Sequence, residues 1–171
     1  MKTRIIAFDP GGTTGIAMVT LMDNVEGCDP FIPQFQVEQL GPQEHHIELE
    51  NFLEKYAEGV DRYFIVYESF NYRNTSRAGL RLDSVEYIGI IKNWARRRGY
   101  PVVAQTPAQA KSFVPDQVLK DMNLYSKAFR HANDGMRHLT YFAVNNPKFK
   151  FNALPYEIAF RAQLLDLGFR T

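Results

Sequence analysis

Residues 4 to 20, RIIAFDPGGTTGIAMVT, constrain this chain more than any other stretch. An apolar, β-branched run ends on Asp9, meets Pro10-Gly11-Gly12-Thr13, and resumes as a second apolar run. Such runs separated by Pro and Gly read as two strands, over 3 to 9 and 14 to 20, joined by a tight turn. An acid at a strand end beside glycines serves either of two designs, a metal ligand or a phosphate cradle. The hairpin alone does not choose between them.

The rest of the chain supplies the frame. Phe31 to Leu40 alternates enough to form a third strand, so three antiparallel strands follow one another. Gly41-Pro42 then breaks the chain, and Ile47, Leu49, Phe52, Leu53 and Tyr56 recur at helical spacing until Gly59. YFIVYE, residues 63 to 68, has the aromatic and β-branched pattern of a buried strand and ends on Glu68. Leu82, Val85, Ile88, Ile91 and Trp94/Ala95 mark a long helix, from about Leu80 to Arg98, that stops at Gly99. PVVAQ is a fifth strand, Pro107 opens a short helix, and further helices are expected over about Arg130 to Asn145 and Pro155 to Leu167. The order predicts an α/β fold with a five-stranded mixed sheet: an antiparallel β1-β2-β3 meander, β4 and β5 parallel to β1, and flanking helices.

Composition narrows the setting. A chain of 171 residues with 45% apolar content is expected to form one domain, 1 to 171, with a sizeable core. No run approaches the roughly 18 apolar residues of a membrane span. Asp9 and Pro10 interrupt what would be a signal peptide's hydrophobic stretch. Cys28 is the only cysteine, so neither an intramolecular disulfide nor a cysteine zinc site is available, and a reduced, cytoplasmic setting is expected.

Asp9 and Glu68 both close an apolar strand, and ligands of open α/β sheets gather outside the carboxyl ends of strands. If the two strands are parallel neighbours, the carboxylates repel unless a cation lies between them. Hard ions with oxygen ligands, Mg²⁺ or Mn²⁺, answer that need. A strand-end acid that only caps a turn is the structural alternative. In RHANDGMRH, His131, Asp134 and His138 fall on one helical face. Gly135 costs this helix roughly 1 kcal/mol against Ala, and its missing side chain would let the helix pack closely on the sheet.

Taken together, FDPGGTTGIA, VYESF and HANDGMRH resemble the RuvC family of Holliday junction resolvases, especially its short bacteriophage versions. The resemblance spans residues 4 to about 142. It implies an RNase H-like fold and four catalytic metal-binding positions, Asp9, Glu68, His131 and Asp134. It further implies two-metal hydrolysis of phosphodiesters in branched DNA with Mg²⁺, Mn²⁺ being able to substitute, and a two-fold homodimer matching the symmetry of a four-way junction. His131 would ligate a metal or move a proton, with His138 the competing histidine. Gly11, Gly12 and Gly15 would permit a tight turn and close approach of a phosphate to the backbone. The segment between the fifth strand and the last core helix, and the region after Tyr141, find no counterpart.

The charge distribution fits either a polyanion-binding face or a solvated surface with two charged halves. Residues 1 to 68 carry 4 Lys/Arg against 12 Asp/Glu, whereas 69 to 150 carry 14 against 5. The expected DNA contacts are Gly12, Thr13, Phe70, Tyr72, Arg73, Arg77, Lys111, Lys120 and Lys127, with Arg81 nearby. Lysines and arginines would neutralise phosphates, and Phe70 and Tyr72 would stack on bases, at about 1–3 kcal/mol each. Equally, an aromatic there anchors a loop to the core. Arg96, Arg97 and Arg98 read as a helix C-terminus complementing the macrodipole, with a DNA contact as the alternative use.

Other functions share parts of the pattern. DPGGTTG also resembles the first phosphate loop of the sugar-kinase and actin superfamily, which needs two related domains around ATP. A Walker loop is excluded because no Gly-Lys-Ser/Thr follows the glycines. A catalytically inactive RNase H-like nucleic-acid-binding protein, or a nuclease for forks or flaps, completes the alternatives.

Overall fold

The computed structural model describes residues 1–22, 34–41, 45–70 and 82–145. Five strands form one mixed sheet: β1 Lys2–Asp9, β2 Thr14–Met22, β3 Gln34–Leu40, β4 Arg62–Glu68 and β5 Val102–Gln105. Their order is β3-β2-β1-β4-β5. β1 pairs antiparallel with β2 and β2 with β3, while β4 runs parallel to β1 and β5 parallel to β4. The expected meander and the two parallel additions are therefore present.

Among the described residues, five helices surround the sheet: α1 His45–Ala57, α2 Asp83–Arg98, α3 Pro107–Phe113, α4 Asp116–Asp121 and α5 Arg130–Asn145. α2 ends where Gly99 adopts a left-handed φ of 70° and donates its N–H to Arg96 O. α3 opens with a capping box between Thr106 and Gln109, with Pro107 in the first turn. α4 was not expected from the pattern, being six residues long. The third strand is described from Gln34 and the long helix from Asp83; the expected helix over 155 to 167 lies outside the described residues. Among the described residues, no helix is long and apolar enough to cross a membrane.

Strand periodicity divides the core into two. Ile6, Phe8, Ile16, Met18, Tyr63 and Ile65 face α1 and α2, packing on Leu49, Leu53, Ile91 and Trp94. The alternate residues Ile5, Ala7, Ala17, Val19 and Val66 face the other way, onto Val114, Leu119, Met136, Leu139 and Phe142 of the α3–α5 layer. Central strands buried on both faces read as continuous apolar runs, which is why β1 and β2 look as they do in sequence. The apolar stripe of α2 is spent on the sheet, and Arg97 and Arg98 pair with Glu50 and Glu54 of α1.

Two glycines set how closely α5 lies. A Cβ on Gly15 would fall 2.0 Å from His131 O, and one on Gly135 would fall 3.1 Å from Ala17 N and 3.2 Å from Ala7 O. Helix and sheet meet backbone to backbone at this crossing, a distance only glycine permits. Gly11 and Gly12, by contrast, do not adopt positive φ.

Candidate active site

The two-residue period of the strands places the site. Odd-numbered positions of β1 face α5, and Asp9 continues the series of Ile5 and Ala7. On β4 the corresponding series is Phe64, Val66 and Glu68. Pairing carries the row across the whole sheet: Gln39 opposes Gly15, Gly15 opposes Asp9, and Glu68 opposes Gln105. Phe8 opposes Tyr67, so Asp9 and Glu68 are the next neighbours along two parallel strands. Ser69 N–H donates to Gln105 O at 2.7 Å, extending the ladder just past Glu68. Gln39, Gly15, Asp9, Glu68 and Gln105 thus form one row across the sheet, its acids at the carboxyl ends of β1 and β4.

α5 lies across this row and supplies the rest. Its His131 N–H donates to Gln39 Oε1 at 2.8 Å, which anchors the first turn. His131 Nδ1 is 3.7 Å from Asp9 Oδ2. Two turns on, His138 Nε2 lies 2.8 Å from Glu68 Oε2 and Nδ1 lies 2.8 Å from Gln105 Oε1. Asp134 lies between them in sequence, and it pairs with Arg137 and, at 3.4 Å, with Lys111 Nζ. Arg137 also pairs with Asp116 and donates its Nε–H to Val114 O at 3.0 Å.

The electrostatics show that these groups share one space. Burial pushes the Asp9 carboxyl up to about 6, and the negative charges of Glu68 and Asp134 push in the same direction. Lys111 and His131 oppose them. Asp9 is thus an under-compensated acid among acids, the case in which like charge and desolvation disfavour ionisation together.

The donor chemistry, carboxylate oxygens with one imidazole, suits a hard divalent cation, and a cation is what would relieve the strain on Asp9. Among the described residues, no three His, Cys, Asp or Glu side chains close into a ready-made coordination cage. Asp134 is tied to Arg137 and Lys111, and Glu68 to His138.

The remaining expected site residues are distributed unevenly. Gly12 is exposed and Thr13 half-buried in the turn after Asp9, where the Thr14 hydroxyl donates to Gly11 O at 3.3 Å. Phe70 is exposed two residues beyond Glu68. Lys111 belongs to the acidic cluster through Asp134, whereas Lys120 Nζ sits 5.0 Å from the ring centre of Tyr125 on α4 and its following turn. Lys127 is exposed just before α5. Tyr72, Arg73, Arg77 and Arg81 lie outside the described residues. Sequence reasoning missed Arg137, Gln105 and Gln39; only their position in register with Asp9, Glu68 and Asp134 marks them.

No protein-family model matches the sequence, and no curated protein matches it. Among solved structures, the chain is similar to Thermus thermophilus RuvC in complex with a Holliday junction substrate. Identity is 21%, the match covers 82% of this chain and 94% of that one, and the TM-score is 0.51. A second T. thermophilus RuvC structure aligns at 20% identity over 82% and 95% of the two chains, with a TM-score of 0.49. YeaZ from Pseudomonas aeruginosa aligns at 14% identity over 70% and 49%, with a TM-score of 0.38. What this chain shares with the junction-bound RuvC is its architecture: the mixed sheet β3-β2-β1-β4-β5 between two helical layers is a RuvC-like RNase H fold.

Proposed function

We propose that this chain is a metal-dependent endonuclease that hydrolyses phosphodiesters in branched DNA, four-way junctions foremost. The observation that carries the proposal is the gathering of Asp9, Glu68, Asp134 and His131 at the strand ends, recorded in the raised Asp9 carboxyl. Asp9, Glu68, Asp134 and His131 would hold Mg²⁺, or Mn²⁺ in its place. Bound there, such ions supply Lewis acidity for the attacking water and the departing 3′ oxygen.

The chain's own residues do the rest. Asp9, central in the row and close enough to feel the charges of Glu68 and Asp134, would be the ligand that ties the site together. His131, half-exposed at the mouth of the site, is placed to hold or pass a proton. Gly12 and Thr13 leave room for a strand's backbone beside Asp9, and Phe70 offers a ring to an unstacked base. Lys111, Lys127 and the arginines of residues 73 and 77 neutralise phosphates. A homodimer would present two such sites to the two symmetric strands of a junction.

A second reading, a nucleic-acid-binding protein that does not cut, draws on one observation: Arg137 and Lys111 already neutralise Asp134. The deciding experiment incubates the protein with a four-way junction, a fork and a linear duplex, with Mg²⁺ or Mn²⁺. Cleavage of branched DNA and sparing of the duplex are expected. Tight binding of branched DNA without cleavage in either metal would establish the second reading instead.

A further inference from the structure

We infer that His138, backed by Gln105, is a positioning residue that fixes the Glu68 carboxylate for cation binding, an assignment that rests on the metal-site reading above. His138 is 1% exposed and Gln105 4%, yet both are polar and sit against the acidic row. Both ring nitrogens of His138 are engaged at 2.8 Å, one by Glu68 and one by Gln105. An ionised carboxylate only accepts, so Nε2 carries the proton it donates to Glu68 Oε2. Nδ1, 2.8 Å from Gln105 Oε1, donates to that oxygen in the charged ring; in the neutral ring it accepts only once the Gln105 amide turns its Nε2–H towards it. In either case the Nε2–H points at Glu68.

The pair is rigid because three elements hold it. Glu68 and Gln105 are register partners on β4 and β5, and the ladder bond from Ser69 to Gln105 locks them past the strand ends. His138 projects from α5, whose height above the sheet is fixed by Gly15 and Gly135. With Oε2 held by the imidazole, the Glu68 carboxylate keeps one orientation, in which it would meet a cation. His131 has a different place: its side chain is half-exposed and approaches Asp9. The two histidines of HANDGMRH therefore divide the work, one at the ligand shell and one behind it. Partners behind a ligating group commonly contribute 10- to 100-fold in metal affinity.

The test is Mn²⁺ affinity measured by calorimetry on the full chain without DNA, alongside thermal melts. Glu68→Gln sets the scale for loss of the ligand itself. His138→Leu should weaken Mn²⁺ binding about 10- to 100-fold, and His138→Gln, which restores an N–H donor, should recover most of it. If His138→Leu does not fold, Gln105→Leu serves, with an expected loss of severalfold. Wild-type affinity in folded His138→Leu or Gln105→Leu, with affinity lost in Glu68→Gln, would overturn the positioning role and leave the metal site standing. Absence of Mn²⁺ binding by the wild type would overturn both.

Discussion

The backbone of His131 rests directly on Gly15: a side-chain carbon at Gly15 would stand 2.0 Å from the His131 carbonyl oxygen and 2.1 Å from its carbon. That contact sets the first turn of α5 over the end of β1, and so brings His131 to Asp9. Gly15→Ala should therefore cost at least about 3 kcal/mol, since neither backbone can yield without moving the helix. Gly12→Ala, whose new carbon would meet only Asp83 Oδ2 at 3.6 Å, should change stability by less than about 0.5 kcal/mol. Urea unfolding of the two variants checks the pair. Equal effects would contradict the close crossing of α5 and β2.

Asp9 destabilises the metal-free fold at neutral pH. Its folded carboxyl titrates near 6 against an ordinary 3.8, so the folded state binds the proton more tightly than the unfolded chain. This group's contribution is therefore most favourable below about pH 4, falls as pH rises towards 6, and then stays flat as a penalty. In EDTA at pH 7.5, Asp9→Asn should be more stable than wild type by on the order of 1–3 kcal/mol, with the difference vanishing near pH 4. Mg²⁺ should raise the melting temperature of the wild type and not of Asp9→Asn. A variant less stable than wild type in EDTA would contradict the crowding of acids.

Arg137 clamps the outer side of the site. It joins Asp134 to Asp116 and to the Val114 carbonyl, with its own side chain only 12% exposed. Arg137→Met should cost about 1–3 kcal/mol, because it takes the donor from the Val114 carbonyl and leaves the part-buried Asp134 with Lys111 alone. Asp116→Asn, on the exposed end at 50%, should cost less than about 1 kcal/mol. Thermal melts of both variants measure the difference.

The lysines expected to contact DNA differ in their surroundings, and their effects should differ accordingly. Lys111 lies 3.4 Å from Asp134 in the acidic cluster, whereas Lys120 is set over Tyr125. Junction affinity should fall linearly with log salt concentration. Lys111→Gln should weaken it more than Lys120→Gln, and a lysine that neutralises one phosphate should reduce the slope by about 1 when replaced. Fluorescence anisotropy over a salt series resolves the two.

Much of this site is legible without the fold, for physical reasons. Strand ends announce themselves by an acid closing an apolar run, so Asp9 and Glu68 stand out. Helical spacing puts His131, Asp134 and His138 on one face, and the structure keeps them there. What spacing does not give is the partner of each. Whether His138 meets Asp134's neighbours or Glu68 depends on the angle at which α5 crosses the sheet, a tertiary quantity. The role of Gly15 is likewise hidden: next to Gly11 and Gly12 it reads as part of a turn, yet it lies in β2 under a helix more than a hundred residues away. Arg137 and Gln105 carry no pattern, since a single Arg or Gln in a helix or strand is ordinary.

Junction binding and junction cleavage measured together, in Mg²⁺, for wild type, Asp9→Asn and Glu68→Gln decide whether the acids at the strand ends cut DNA or only shape the fold. Loss of one group needed only for the chemical step separates the two quantities. Both variants are expected to bind a four-way junction within about threefold of wild type, while cleavage falls by a factor of at least about 10³. Cleavage at near wild-type rates by either variant would contradict a cutting role for these acids.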